Sequence, residues 1–194
     1  GYGDPNIAAN VVVRLERIGA SAVILEDQRR PKQCGHLPGK EILPLDEYLV
    51  RLNRILEVRD QLFVVARTDA ENFDEGLSRA NAFVEAGTDA VMVEGLTDLN
   101  QVPQIRDVIG DDVFLMVNLI QGGKTPEVSL SELSDLGANI VIYSTPCLYS
   151  AQMAIETEMQ RLIDSDGRLS RKSDGIDLNK NTAIMNANEL MGHG

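Results

Sequence analysis

Cysteine is scarce in this chain: two residues, Cys34 and Cys147, among 194. Two thiols in a chain of that length do not make a disulfide framework. They point to a reducing compartment, so the expected location is cytoplasmic. Positive charge is also short. Lys and Arg number 18 against 30 Asp and Glu, for a formal net charge of −12 and a pI of about 4.6. A nucleic-acid binder needs Lys and Arg for its phosphate contacts, and an anionic membrane surface attracts the same residues. The charge balance therefore argues against both partners. No apolar run reaches the roughly 18 residues of a transmembrane helix. The opening Gly1-Tyr2-Gly3-Asp4-Pro5 has neither the basic flank nor the apolar stretch of a signal peptide. Because it starts with Gly and not Met, residues upstream of it are expected. Low-complexity segments and coiled-coil heptads are missing too. Hydrophobic residues make up 43%, enough for a sizeable core, and 194 residues are too few for two ordinary domains.

Three segments, 18–26, 86–94 and 136–143, share one pattern. Each has a Gly at the end of an amphipathic stretch, two small or polar residues, then an apolar run. Gly ends helices because it accepts the left-handed conformation. A continuous Val/Ile run reads as a strand buried on both faces, hence a parallel one. Two more strands are expected at 62–66 and 113–117. Helices are expected over 7–18, 45–58, 73–86, 99–109 and 129–136, with a longer one over 148–163. Apolar positions 73, 77, 80, 83 and 84 form a helical stripe, and Ser129-Leu130-Ser131-Glu132 resembles a capping box. The α/β alternation means parallel βαβ units. It fits an open doubly wound sheet, or the last five βα units of a (β/α)8 TIM-type barrel followed by C-terminal helices. The expected division is a partial barrel over 1–163 and a polar tail over 164–194 with a short helix at 182–190.

In parallel α/β folds, sites lie beyond the carboxyl ends of the strands. Here those ends read Glu26-Asp27-Gln28, Arg67-Thr68-Asp69, Glu94, Asn118 and Tyr143-Ser144. Loops begin at strand ends and loops are polar, which accounts for part of this. Yet Arg67 and Glu94 follow directly on apolar runs, where a half-buried charge needs a partner. Carboxylates with one arginine suit a divalent metal and a carboxylate substrate. The connection after the first strand is long, 17 residues over 28–44, where βα loops usually have about 2–6. It carries Cys34 two residues from His36, among four cations, with Gly35 and Gly39 as hinges, and reads as a lid over the site. Cys-x-His alone supplies two ligands and is no zinc site. Cationic surroundings favour proton transfer from the thiol. Cys147 reads as packing, His193 carries no signal, and Gly122-Gly123-Lys124 reads as an ordinary turn.

Taken together, Gly1-Tyr2-Gly3, Glu26-Asp27-Gln28, Pro31-Lys32-Gln33-Cys34-Gly35-His36, Gly39-Lys40 and Ala66-Arg67-Thr68-Asp69-Ala70 resemble the isocitrate lyase/phosphoenolpyruvate mutase superfamily. Glu94, Asn118, Thr125-Pro126 and Glu132-Leu133 fall where that family has equivalents. The Cys-bearing loop is similar to that of the methylisocitrate lyase, oxaloacetate hydrolase and alkylmalate lyase branch. The resemblance implies a Mg²⁺- or Mn²⁺-dependent carbon–carbon lyase acting on a 2-hydroxy or 2-oxo di- or tricarboxylic acid. It implies a homodimer or homotetramer with a swapped C-terminal helix. It assigns Cys34 as the general acid, with His36 and Glu94 beside it. Gly35, Arg67 and Asn118 would hold substrate, and Glu26 would stand near the metal, whose aspartate ligands are expected upstream of Gly1. Two departures are visible. Tyr149 stands where an arginine is expected, and Asn118-Leu119-Ile120 replaces Asn-x-Thr. Both imply a smaller, more apolar acid. A phosphonate P–C bond mutase or hydrolase on the same barrel, and a truncated non-catalytic paralogue, remain as alternatives.

Overall fold

The computed structural model describes residues 3–169 and 175–190. Gly1, Tyr2 and His193, named above, lie outside the described residues. The elements run α1 (Pro5–Arg17), β1 (Ala22–Glu26), α2 (Leu45–Val58), β2 (Phe63–Thr68), α3 (Phe73–Ala86) and β3 (Ala90–Val93). They continue with α4 (Gln101–Ile109), β4 (Phe114–Leu119), α5 (Leu130–Asp135), β5 (Ile140–Tyr143), α6 (Pro146–Asp164) and α7 (Leu178–Leu190).

All four strand pairings are parallel, in the spatial order β1-β2-β3-β4-β5. A doubly wound sheet reverses its strand order at a switch point. This sheet never reverses, which is the order of a partial (β/α) barrel. Side chains alternate across it. Val64, Ala66, Val91, Val93, Leu115 and Val117 face the helices and join Tyr48, Leu52, Ile55, Phe83, Val102 and Ile105 in the main core. Val65, Ala90, Met92 and Met116 form a smaller cluster with Phe63, Ile140 and Ile142. The central strands β2, β3 and most of β4 are therefore covered on two faces, whereas the outer strands β1 and β5 stay partly exposed, with Ile24 and Tyr143 open.

Local chemistry sets the boundaries. The Asp4 carboxylate accepts from the amides of Asn6 and Ile7 at 2.7 and 3.1 Å, and Pro5 opens α1. Asn72 caps α3, and Gly87 ends it at φ +89°. The expected capping box at Ser129 and Glu132 is formed. The helix expected from 99 starts at Gln101, because the Gln101 side chain accepts from the amides of Thr97 and Asp98 and holds that stretch as a turn. Strand β2 runs two residues further than the apolar pattern suggested, through Arg67 and Thr68. Arg67 pairs in register with Glu26 and Met92. β4 likewise takes in Asn118 and Leu119.

The compact units are 1–146 and 147–194, whereas the sequence pattern drew a break at 163. Within the second unit α6 buries no residue, and Leu148, Met153, Ile155, Met159 and Ile163 on it are exposed. Cys147, read above as packing, is exposed as well. The tail helix begins at Leu178 instead of 182, where the Asp177 carboxylate accepts from the Lys180 amide at 2.8 Å. No helix among the described residues is long and apolar enough to cross a membrane.

Candidate active site

The strand ends converge. Glu94, at the end of β3, is buried and lies at the centre of a ring. Its Oε1 accepts from Asn118 Nδ2 at 2.9 Å and lies 3.7 Å from Arg67 Nη2. Ser144, just past β5, donates to Asn118 Oδ1 at 2.8 Å, which fixes the amide so that its NH₂ faces Glu94. Arg67 is clamped by Asp69 through two bonds, 2.8 Å from Nε and 2.9 Å from Nη2. Its Nη1 has Glu26 Oε2 at 3.9 Å. Burial alone would lower the Arg67 pKa. The Asp69 hydrogen bonds and the charges of Glu94, Asp69 and Glu26 outweigh burial and raise it. Glu26 in turn accepts from Lys32 Nζ at 2.6 Å.

The 28–44 connection is seated on this ring. Its base is pinned by an antiparallel bridge between Gln28 and Ile42, and by Arg29 N donating to Glu41 O at 2.8 Å. The Gln28 side chain holds both the amide and the carbonyl of Gln33. Gly35 and His36 are buried while Cys34 is exposed. Gly35 touches the ring so closely that a Cβ there would stand 2.3 Å from Glu94 Cγ, 2.5 Å from Asp69 Oδ1 and 2.6 Å from Arg67 Nη2. His36 Nδ1 accepts from the Lys124 amide at 2.9 Å. A neutral ring therefore carries its proton on Nε2, which lies 3.1 Å from Glu94 Oε1 but off line for a hydrogen bond. His36 Nε2 and Glu94 Oε2 are both buried with no hydrogen-bond partner among the described residues.

Behind the ring lies a network that the sequence pattern did not reveal. Asp27 is fully buried. It accepts from the Thr68 hydroxyl at 2.7 Å, the Asp69 amide at 2.9 Å and Arg79 Nη1 at 3.1 Å. Burial raises its pKa, against the pull of those donors. Arg79 also holds Leu43 O at the far end of the loop, 3.0 Å away. Asp27 thus fixes the β2 terminus that carries Arg67, and Arg79 ties that terminus to the loop.

Seven sequence candidates, Glu26, Cys34, Gly35, His36, Arg67, Glu94 and Asn118, fall in this one region. Sequence reasoning named Asp69, Ser144 and Lys40 in the strand-end and loop motifs but gave them no role, and it missed Arg79 and the backbone of Lys124. The Gly122-Gly123-Lys124 turn is the support of His36. A Cβ on Gly123 would stand 2.5 Å from His36 Nδ1. Two adjacent glycines beside a lysine were the available signal. As for metal, no group of three or more His, Cys, Asp or Glu side chains among the described residues is arranged to hold an ion. The Glu26 carboxylate is engaged by Lys32, so these residues do not by themselves make a divalent-cation site.

A family pattern described as phosphoenolpyruvate phosphomutase matches residues 1–163. The chain belongs to that family. It is similar to the 2-methylisocitrate lyase of Bacillus subtilis (strain 168), 37% identical over 159 residues that cover 80% of this chain and 52% of the relative. The 2,3-dimethylmalate lyase of Eubacterium barkeri is 33% identical over 160 residues, 80% of this chain and 55% of the relative. Among solved structures, the trigonal form of 2,3-dimethylmalate lyase aligns with a TM-score of 0.89 at 28% identity, over 99% of this chain and 65% of that one. Oxaloacetate acetylhydrolase in complex with 3,3-difluorooxalacetate aligns at 0.85 and 28%, over 100% and 68%. The superfamily and the branch read from the motifs hold. The chain spans about half the length of the curated relatives it matches.

Proposed function

We propose that this chain carries the catalytic loop and substrate ring of a carbon–carbon lyase acting on a small 2-hydroxy or 2-oxo carboxylic acid. What supports this reading is the seating of Gly35 and His36 on Arg67 and Glu94, with the exposed Cys34 next to them in the chain. The unpartnered atoms define what the ring accepts. His36 Nε2 offers a donor and Glu94 Oε2 an acceptor. Arg67 Nη1, which among the described residues has only the 3.9 Å approach of Glu26, has hydrogens left for a carboxylate. A 2-hydroxy acid, or the hydrate that a 2-oxo acid forms by adding water to its ketone, supplies the matching set: a carboxylate toward Arg67 and His36, and a hydroxyl donating to Glu94. In cleavage the hydroxyl proton passes to Glu94 and the oxygen's electron pair forms the new carbonyl. The electrons of the broken C–C bond leave as an enolate, and Cys34 returns a proton to its carbon. The seated loop keeps water from competing for that carbon.

The resemblance asks for Mg²⁺ or Mn²⁺, which would polarise the substrate oxygens. From this chain it is offered Glu26, with the remaining ligands assigned to the aspartates upstream of Gly1. A homodimer or homotetramer that exchanges the C-terminal helix is proposed on the exposed apolar side chains of α6.

The test is steady-state cleavage of 2,3-dimethylmalate, 2-methylisocitrate and oxaloacetate with Mg²⁺ present, by the protein carrying this chain and by Cys34→Ser. Turnover of one of them, with kcat about 10²–10⁴-fold lower in the variant and KM little changed, is the expected result. A variant with wild-type kcat removes Cys34 as the acid. Turnover of phosphonopyruvate alone replaces the lyase reading with a phosphonate enzyme. No turnover of any of them favours a non-catalytic paralogue.

A further inference from the structure

We propose that Lys40 is the positioning residue that holds Gly35 and His36 seated on Arg67 and Glu94, and with them the place of Cys34. The idea rests on the reading of this loop as the reaction's cover. The loop is pinned at its base, but its tip has few ties of its own. Gly35 has no side chain, and within the tip Leu37 N donates to Cys34 O at 3.0 Å. From outside the connection the Lys124 amide holds the His36 ring, and the Gly35 carbonyl is gripped from the connection's own far arm. Lys40 Nζ donates to it at 2.8 Å. Gly95, at φ +75°, lies so close that a Cβ there would stand 3.2 Å from the same oxygen.

Lys40, on the far arm of the same connection, has a side chain only 2% exposed. A buried ammonium is costly unless hydrogen-bonded and paired. Its partners are the Gly35 carbonyl and the Glu71 carboxylate, 3.9 Å away and half exposed. A methionine of similar length would fill the volume at no desolvation cost, but it would leave the carbonyl ungripped. The charges that face Lys40 are Asp69 and Glu71 beyond β2, Glu94 at the end of β3, and Lys124 beyond β4. Burial, and then the neighbouring Lys124, lower the Lys40 pKa below the ordinary lysine value, against the pull of Asp69 and Glu71. The proton is therefore held loosely for a lysine. As pH rises through that lowered value, the charge-assisted bond becomes a weaker neutral one and the tip is released. A cavity of about 60 Å³ beside Lys40, lined by Glu71, Thr97, Gln101 and Lys124, leaves room for a larger cation.

The experiment is hydrogen exchange on the protein carrying this chain, read at peptides holding the Gln33, Leu37 and Lys124 amides and normalised to intrinsic rates. Lys40→Met should raise exchange at these amides about 10- to 100-fold, the loss expected for a hydrogen bond to a charged group. Peptides from α2 should be unchanged. Lys40→Arg, which stays charged, should restore most of the protection. Wild type should lose protection at the tip, and not in α2, as pH rises, and Lys40→Arg should not. In turnover, Lys40→Met should lower kcat more than it raises KM. Wild-type exchange at the tip in Lys40→Met overturns the proposal. So does a wild-type tip whose protection follows α2 across pH, an arm that needs no variant to fold. If the exchange results come out as expected and no 2-hydroxy acid is cleaved, Lys40 keeps its role and the lyase reading falls.

Discussion

Replacing Gly35 by alanine adds one methyl group at the tightest point of the loop. The added carbon would stand 2.3 Å from Glu94 Cγ, where ordinary contact begins near 3.4 Å, so something must yield by about 1 Å. The side chains it meets are not free to move. Asp69 is fully buried and clamps Arg67 through two bonds, and Glu94 is buried and held by Asn118. The loop is the softer partner, since residues 30–41 contribute nothing to the main core. Overpacking of this kind costs about 1–3 kcal/mol. Here it falls on the equilibrium between seated and lifted loop, not on folding. A 1 Å misplacement of catalytic groups costs about 10²-fold in rate. Gly35→Ala should therefore melt within a degree or two of wild type, lose about two decades of kcat, and expose the Gln33 and Leu37 amides to exchange. Leu37→Ala in the same loop, whose side chain is exposed, serves as the control and should change none of these. A Gly35→Ala protein with wild-type kcat and a protected tip would show that the contact at Gly35 does not govern the loop.

Two further outcomes follow from groups away from the ring. Glu16 accepts from the amides of Asp60, Gln61 and Leu62, and these bonds lower its pKa, the Asp60 amide most. A depressed carboxylate stabilises the fold above its unfolded pKa and stops doing so as pH falls through its folded value. Glu16→Gln should thus flatten the fall of melting temperature on acidification below about pH 4.3, the ordinary glutamate value; an unchanged slope refutes the role. Tyr48 is fully buried, packs at a tilt against Phe83 with ring centroids 4.8 Å apart, and donates to Leu25 O at 2.8 Å. Tyr48→Phe keeps the ring and removes the bond, so a lower urea midpoint at constant slope, corresponding to a loss of about 1 kcal/mol, is expected. A neutral substitution would mean that the Leu25 carbonyl is otherwise satisfied.

The barrel-type order and the ring were legible because both are local. Periodicity gives the strands, parallel strands end on one edge, and the residue after each apolar run is then on the site side. Glu26, Arg67, Glu94 and Asn118 followed from that logic. Asp69 stands two positions from Arg67 and was named with it, but the more distant supports were not legible, because they come from elsewhere in the chain. Arg79 looks like a solvated charge beside Ala80 on α3. Only the packed fold turns it inward to Asp27, 52 positions away. The bond from Lys124 to His36 spans 88 positions. Lys40 resembles any exposed loop lysine until the loop folds over it.

Three glycines explain how so long a connection comes to rest in one place. Gly35 lies against the side chains of Arg67, Asp69 and Glu94. Gly95 lies against the Gly35 carbonyl, and Gly123 against the His36 ring. At each contact a backbone meets its partner with no side chain between, and at Gly35 and Gly123 a single added carbon would come within 2.5 Å of its neighbour. Packing of that kind does not slide, because half-seated positions lose the dispersion contacts without regaining water. The polar contacts agree with it: the Lys124 amide on His36, the Lys40 ammonium on Gly35 and the Gln28 side chain on Gln33 all hold the same seated position. The hinges read from Gly35 and Gly39 are therefore only half right in kind. Gly39, at φ +83° with no atom nearer than 3.9 Å to an added Cβ, has the freedom of a turn, whereas Gly35 is the face on which the loop is seated.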